Sequence, residues 1–425
     1  MPAHSYPGPD TIRRHTLDNG ITVFLFENPT SQTVVIDGVV QVGSLAEADE
    51  KAGLADFTAD LLTHGSKNHS FEDIFEVLET IGASLSFGSA RHTTGFSGYC
   101  LAEDLNLLTN LFVETLCRPT FPPDHVEKLR GQIITALEMR ANDTRRMAHL
   151  AFQELAYQDH PYRRSVSGYP ETIASITREE LADFHTQHYG PKGMVLTIVG
   201  AIQIDETIQM IDRALGGWRN DQQIRLSPVP DATPPTGLIR RNVLMPDKHQ
   251  ADIIMGLPGP SRAAPDYLDA SLMNTILGVF GMMGRIGQNV RENKGLAYYA
   301  GSRLEGGFGP GAWAASAGVA PENVEQAIDS IRDEIKRIRD EPVTEDELAD
   351  SQAYRTGSLP MSLETNGGLA DTITNMELYQ LGMDYLYEYP RLINEITVER
   401  VQAAARKYLS YDNLVVAVSG PVEAL

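Results

Sequence analysis

The sequence ITREELADFHTQHYGPKGMVLTIVG, residues 176–200, has a counterpart near the C-terminus, ITVERVQAAARKYLSYDNLVVAVSG, residues 396–420. Each stretch begins with an Ile-Thr pair and an acidic first turn, which predicts a helix capped by the threonine. Each ends in an apolar run and a glycine at the same distance from its first residue, which predicts a buried strand. The chain is therefore predicted to contain one structural unit twice.

The segments before these two stretches agree with a duplication. Apolar runs that predict strands open the first half at residues 21–26 and 34–42, and another opens the second half at 251–255. Helical periodicity follows the strands in both halves. The predicted fold class is α+β, with two homologous duplicated domains, each a mostly antiparallel sheet that packs helices on one face.

The segment 216–237 separates the two halves. It contains Pro228, Pro230, Pro234 and Pro235 and lacks helical periodicity, as is typical of a linker. The predicted domains are therefore residues 1–215 and 238–425, joined by this linker.

Composition excludes several classes of protein. With 425 residues the chain is too long for one ordinary core, and its net charge of −22 comes without a basic stripe. Neither a nucleic acid nor a membrane is therefore an expected partner. The two cysteines, Cys100 and Cys117, suit a reducing compartment, and we find neither a signal peptide nor a membrane span. The expected location is cytoplasmic, or periplasmic if a leader has been removed.

The stretch Gly53-Leu54-Ala55-Asp56-Phe57-Thr58-Ala59-Asp60-Leu61-Leu62 bears on chemistry. Its apolar residues recur with a helical period, so positions 56 and 60 are predicted to lie one turn apart on the same face. This is the spacing at which two histidines bind zinc, with a glutamate between them as general base. Here Asp56 and Asp60 occupy the two positions, and Ala59 stands at the position of the base, where it cannot accept a proton.

These residues resemble the M16 family of insulinase-like and mitochondrial-processing-peptidase-like metallopeptidases, in its M16B branch. The resemblance also rests on Val42-Gly43-Ser44-x-x-Glu47 and on the block from His160-Pro161-Tyr162 to Gly200. The motif His-x-x-Glu-His, which defines the catalytic members, is absent. The resemblance implies a LuxS/MPP-like fold, and it implies that Glu138 occupies the position of the family's third zinc ligand.

Three interpretations of Asp56, Asp60 and Glu138 stay open. The carboxylates are metal-free, or they hold a hard cation such as Mg²⁺ or Ca²⁺, or they bind zinc weakly. None of these restores hydrolysis, because Ala59 offers no general base. No cofactor is expected in this chain.

Four histidines need a separate interpretation. His185 and His188 are three residues apart, which allows a metal site. The commoner case at a helix C-terminus is an interaction with the helix dipole. His64 and His69 are interpreted as surface or loop residues.

The second half contains the glycine-rich run Gly278-Val279-Phe280-Gly281-Met282-Met283-Gly284-Arg285, which matches no nucleotide fingerprint. In the family, an Arg and a Tyr that follow this segment act on the zinc site of another half or subunit, which implies Arg291 and Tyr298 here. These groups hydrogen-bond a substrate carbonyl and the oxyanion that forms on attack. From the residues alone, Arg291 also fits a helix end and Tyr298 a core strand. Gly281 and Gly284 are predicted to let a peptide approach the backbone.

The function that this resemblance implies is that of a zinc-less, non-catalytic subunit of a heterodimeric M16B zinc metallopeptidase. The partner would carry the intact motif and the zinc ion, and this chain would bind peptide substrate and supply Arg291 and Tyr298. One alternative is a scaffold subunit of a larger complex with the same fold and no role in proteolysis. Another is an enzyme that acts alone through a carboxylate-bound metal.

Overall fold

The computed structural model describes residues 6–423, which form two compact units. Unit 1 contains residues 6–137, 165–227 and 360–387. Unit 2 contains residues 138–164, 228–359 and 388–423. Each unit therefore takes residues from both halves of the sequence.

Unit 1 is built on a six-stranded sheet in the order β1-β2-β6-β3-β5-β4, in which only β2 and β6 pair in parallel. Its strands are β1 (Arg13–Thr16), β2 (Thr22–Glu27), β3 (Thr33–Val40), β4 (Ser84–Ser89), β5 (Thr94–Leu101) and β6 (Val195–Gly200). The helices up to the end of the first half are α1 (Leu54–Asp60), α2 (Phe71–Thr80), α3 (Leu105–Cys117), α4 (Pro123–Arg140), α5 (Thr144–Ala156), α6 (Pro170–Ser175), α7 (Arg178–His188) and α8 (Ile204–Leu215).

Unit 2 repeats this plan with a five-stranded sheet in the order β7-β11-β8-β10-β9, in which only β7 and β11 pair in parallel. Its strands are β7 (Leu238–Leu244), β8 (Ala251–Pro258), β9 (Ala297–Leu304), β10 (Ala312–Val319) and β11 (Leu414–Gly420). The helices of the second half are α9 (Tyr267–Gly278), α10 (Phe280–Gly287), α11 (Val324–Asp340), α12 (Glu345–Ser362), α13 (Asn366–Leu378), α14 (Tyr385–Asn394) and α15 (Val398–Tyr408).

The two opening stretches form equivalent parts of the two units. The Thr177 side chain accepts a hydrogen bond at the start of α7, and Thr397 does the same at the start of α15. Every residue of β6 and of β11 is buried, and each of these strands pairs with a neighbour on both sides. The predicted α+β fold with two mostly antiparallel sheets is confirmed.

One helix of each half packs on the sheet of the other half. Helix α13 lies on β3 and β6 of unit 1, and α5 lies on β8 and β11 of unit 2. In unit 1, Leu369, Ala370 and Ile373 of α13 form a small core with four apolar residues of the sheet (Phe24, Val39, Val195 and Val199). The main core of this unit lies on the opposite face of the sheet. The continuous apolar sequences of β6 and β11 follow from this coverage of both faces.

The segment between α8 and β7 contains no helix or strand, but it is bound at both ends. In unit 1, the Asn220 side-chain amide donates to the carbonyl of Tyr189 at 2.8 Å. In unit 2, the His160 ring donates to the carbonyl of Pro230 at 2.9 Å. The predicted domain boundary at 216–237 stays a prediction, and the two compact units exchange α5 and α13 between the halves of the sequence.

Candidate functional site

The motif helix α1 begins at Gly53, which has a left-handed φ of 97° and offers no side-chain cap. A buried carboxylate replaces the cap. Glu47 accepts from the Gly53 amide at 3.0 Å and from the Ala55 amide at 2.8 Å. A side chain at position 53 would collide with Ile173, since a Cβ there would lie 2.6 Å from its Cδ1 atom. Glu47 and Gly53 thus fix the start of the helix, and the helix dipole favours the carboxylate at this end.

Asp56 and Asp60 lie one turn apart on α1, and both are half-buried. Burial raises the pKa of Asp56, although hydrogen bonds from the Ser167 side chain and the Ser89 backbone oppose the shift. Burial and the charge of Asp56 raise the pKa of Asp60 to about 7. Burial raises the pKa of the nearby Tyr189 hydroxyl, and the charges of both aspartates raise it further. The two carboxyl groups therefore form one coupled pair that holds a proton near neutral pH.

Replacing Asp60 by Asn is expected to raise the free energy of unfolding at pH 8 by about 1–3 kcal/mol and to change it little below pH 4. The raised pKa means that the folded state holds the proton more tightly than the unfolded state, whose carboxyl group has the ordinary value of 3.8. The wild-type chain therefore loses stability as the pH rises towards 7. The Asp60→Asn variant keeps this stability, because asparagine does not ionise. Urea unfolding across this range measures the effect.

The control for this variant is Asp183→Asn, at an exposed position of α7. It should keep the pH dependence of the wild-type chain. If Asp60→Asn showed the same decline in stability with rising pH as the wild type, the protonated pair would be refuted.

The other two motif positions do not join this pair. Ala59 is 1% exposed and packs into the core. Glu138 is exposed on α4. Across residues 6–423, no group of three or more His, Cys, Asp or Glu side chains is placed to hold a metal ion. Within unit 1, Asp56 and Asp60 are the two degenerate motif positions whose carboxyl groups interact.

The histidine interpretations need correction. The His185 ring donates to the Leu116 carbonyl at 2.8 Å, and burial lowers its pKa to about 4. It is therefore neutral and does not act as a cation on the helix dipole. His64 lies in a 3₁₀ turn that continues α1, where its ring is half-buried and contacts Phe71 and His125 at centroid distances of 5.1 and 5.7 Å. The interpretation of His64 as a surface or loop residue was wrong, because these ring contacts stabilise an ordered turn.

In unit 2, the glycine-rich run forms a kink inside α10. Four successive residues leave helical geometry, and Gly281, Met283 and Gly284 have φ between 64° and 70°. A Cβ at Gly284 would lie 2.5 Å from the Gly278 amide nitrogen, whereas the space beside Gly281 is open. Gly284 is therefore required by the loop's own backbone, and Gly281 leaves room beside it.

Tyr298 and Arg291 follow this loop. A π-helical turn at Gln288–Asn293 contains Arg291, whose side chain is 38% exposed and lies 3.4 Å from the Glu292 carboxylate. Tyr298 is the second residue of β9, an edge strand, and its side chain is 84% exposed. The alternative in which Tyr298 starts a core strand is therefore wrong.

The adjacent Tyr299 has the opposite environment. Its hydroxyl donates to the buried Asp252 carboxylate at 2.5 Å, and the Arg145 guanidinium lies 4.8 Å from its ring centroid. Thr144 of α5 donates to the same carboxylate at 2.5 Å. We did not predict this network from the sequence. The alternation of side chains along a strand indicates that the two tyrosines face opposite ways, but not which one is exposed.

Two family models match the sequence. Residues 22–169 match the model described as "Insulinase (Peptidase family M16)", and residues 175–354 match "Peptidase M16 inactive domain". Together they cover more than half of the chain. The chain belongs to the M16 peptidase family. Its sequence contains no His-x-x-Glu-His motif.

Several M16 relatives align along nearly the whole chain. An uncharacterized zinc protease of Streptomyces coelicolor is 26% identical over 95% of this chain and 88% of its own length. The uncharacterized zinc protease YmxG of Bacillus subtilis is 24% identical over 96% of this chain and 98% of its own length.

Two solved structures share the fold. A peptidase M16 inactive domain from Pseudomonas fluorescens superimposes with a TM-score of 0.89 at 24% identity, over 97% of this chain and 99% of the other. A protease from Helicobacter pylori superimposes with a TM-score of 0.90 at 19% identity, over 97% of this chain and 100% of the other.

Between residues 6 and 423, none of the helices is both long and apolar enough to cross a membrane.

Proposed function

We propose that this M16 chain is the zinc-less subunit of a two-subunit metallopeptidase. Its partner is an M16 subunit with an intact His-x-x-Glu-His motif and a zinc ion. This chain helps to hold a peptide or an unfolded segment and supplies Arg291 and Tyr298 to the partner's site. The observation that carries the proposal is the 84% exposure of Tyr298, a large aromatic side chain presented at the start of an edge strand.

The chemistry of the two side chains supports this role. A phenol hydroxyl and a guanidinium group donate hydrogen bonds to an oxygen that becomes negatively charged during attack on a peptide carbonyl. Arg291 is available for this, because its ion pair with Glu292 is half-exposed and costs little to break. Gly281, with open space beside its backbone, leaves room for a peptide to approach the same loop.

The motif helix supports the other part of the proposal. Glu47 and Gly53 hold α1 in an ordered position, yet Asp56 and Asp60 share a proton and the buried Ala59 provides no base. The helix offers neither the two histidines that bind zinc in the motif nor a glutamate at position 59 to act as its general base. Hydrolysis therefore requires the motif of another subunit.

Mixing this chain with its partner is expected to raise peptide hydrolysis at least about 100-fold above the sum of the separate chains, which is the contribution of one oxyanion donor. A quenched fluorescent peptide and size-exclusion chromatography measure turnover and association. Hydrolysis by this chain alone that a chelator abolishes would refute the proposal. Association without any gain in turnover would also refute it and would favour a scaffold role.

A further inference from the structure

A cavity of about 550 Å³ lies in unit 2 beside the glycine-rich loop. The loop, the π-helical turn that follows it, α11 and α12 form its wall. Its volume falls within the range of about 300–1,000 Å³ that small-molecule sites occupy. Charged side chains on its wall indicate what kind of molecule it can hold.

Arg285 is one of these side chains, and it is only 9% exposed. Its Nε and Nη2 atoms donate to the two carboxylate oxygens of Glu347, each at 2.7 Å. Its buried Nη1 atom has no hydrogen-bond acceptor within residues 6–423. A buried donor without an acceptor in the protein chain is uncommon in folded proteins, and its partner is a water molecule or a ligand.

Glu334 of α11 shows the complementary deficit. It is 6% exposed, and its Oε1 atom accepts from the Asn289 side-chain amide at 2.7 Å. No donor in the described part of the chain hydrogen-bonds its Oε2 atom. The Nη1 atom of Arg337 lies 3.6 Å from this Oε2 atom, and the Arg337 side chain is 52% exposed. Such a pair is weak, so Arg337 can move aside for a better donor.

The two deficits lie on the same side of the cavity. Arg285 and Asn289 are four residues apart across the junction of α10 with the π-helical turn, so their side chains lie on one helix face. Asn289 in turn contacts Glu334. One small molecule can therefore approach both side chains.

The charges around the cavity select the ligand. Glu347 neutralises Arg285, and the remaining Glu334, Asp350 and Arg337 leave a net negative charge. A simple anion would be repelled. A molecule that offers a carboxylate to Arg285 and an ammonium group to Glu334 satisfies both deficits.

We propose that this cavity binds a zwitterion with an apolar side chain, either a free amino acid or a short peptide. The carboxylate accepts from Arg285, the ammonium group donates to Glu334, and the side chain contacts Ile276, Phe280 and Met282 at the apolar part of the wall. Neither Arg291 nor Tyr298 takes part. Binding is measured on the chain alone, so its outcome is independent of whether a peptidase partner exists.

The test titrates the purified chain by calorimetry with L-leucine, L-leucyl-L-leucine, N-acetyl-L-leucine and L-leucinamide. At least one of the two zwitterions is expected to bind at least about 10-fold more tightly than both blocked compounds, since each of these lacks one charge. Preference for leucine identifies a free amino acid, and preference for the dipeptide identifies a short peptide. No binding, or equal binding of zwitterions and blocked compounds, overturns the proposal.

Variants locate the site. Glu334→Gln is expected to weaken zwitterion binding at least about 10-fold, because the ammonium group loses its partner, and not to weaken the binding of N-acetyl-L-leucine, which has no ammonium group. Arg337→Gln changes an exposed side chain and is expected to strengthen zwitterion binding, because it uncovers Glu334. This second variant keeps the test valid if Glu334→Gln fails to fold. Asp329→Asn on the same helix, 71% exposed and outside the cavity, is the control. Wild-type affinity in either cavity variant overturns the proposal.

Discussion

Replacing Tyr298 by Phe is expected to lower kcat of the reconstituted peptidase by about 100-fold or more and to change KM by less than about threefold. The substitution removes one hydroxyl donor and keeps the ring. A donor that acts only on the oxyanion stabilises the transition state and not the bound substrate, so the loss falls on kcat. Single-turnover kinetics of the mixed subunits, with association checked separately, measure it.

The structure supplies two controls for this experiment. Tyr99→Phe alters another exposed strand tyrosine, 51% exposed and located in unit 1, and should leave turnover unchanged. Tyr299→Phe removes the hydrogen bond to buried Asp252 and should lower the free energy of unfolding by about 1–3 kcal/mol. Tyr298→Phe should leave stability unchanged, because its hydroxyl is exposed. Wild-type turnover in the Tyr298→Phe complex would disprove the transition-state role.

Separating the chain between residues 227 and 228 is expected to leave neither fragment able to fold alone. The fragment 1–227 lacks α13, and the fragment 228–425 lacks α5. Loss of the buried contacts of Leu369, Ala370 and Ile373 alone removes about 4–6 kcal/mol from unit 1. This approaches the total stability of about 5–15 kcal/mol that is usual for a domain. Circular dichroism and thermal unfolding of the separate fragments and of their mixture test the prediction.

The control is the intact chain with a protease site between residues 227 and 228, cleaved after folding. It should keep the unfolding temperature of the uncleaved chain, because the exchanged helices stay in place. A sharp unfolding transition of fragment 1–227 alone, at the temperature of the intact protein, would show that α13 is not needed.

Local patterns in the sequence were sufficient for the elements that repeat. Residues 176–200 and 396–420 predicted two capped helices and two buried strands, and β6 and β11 lie where the apolar runs are. These features depend on neighbours within a few residues, through capping and side-chain periodicity. The exchange of α5 and α13 depends on partners distant in sequence, and no local pattern specifies it.

The same distinction between local patterns and distant partners applies to the candidate site. The helical spacing of Asp56 and Asp60 was predicted from the sequence, as was the absence of a base at Ala59. The role of Glu47 at the start of α1 was not predicted, since a loop of five residues separates them. Arg285 and Glu334 also went unnoticed, because only the tertiary structure shows which charged side chains are buried and lack a partner.

The exchanged helix α13 affects the order of events during synthesis. The sheet of unit 1 is complete once β6 has emerged at Gly200, but the helix that covers its second face ends at Leu378. At a translation rate of about 5–20 residues per second, the apolar surface around Phe24, Val39 and Val199 stays exposed for roughly 10–40 s before α13 is synthesised. A nascent chain in this state resembles an aggregation-prone intermediate, so ribosome-associated chaperones should engage it between these two points of translation.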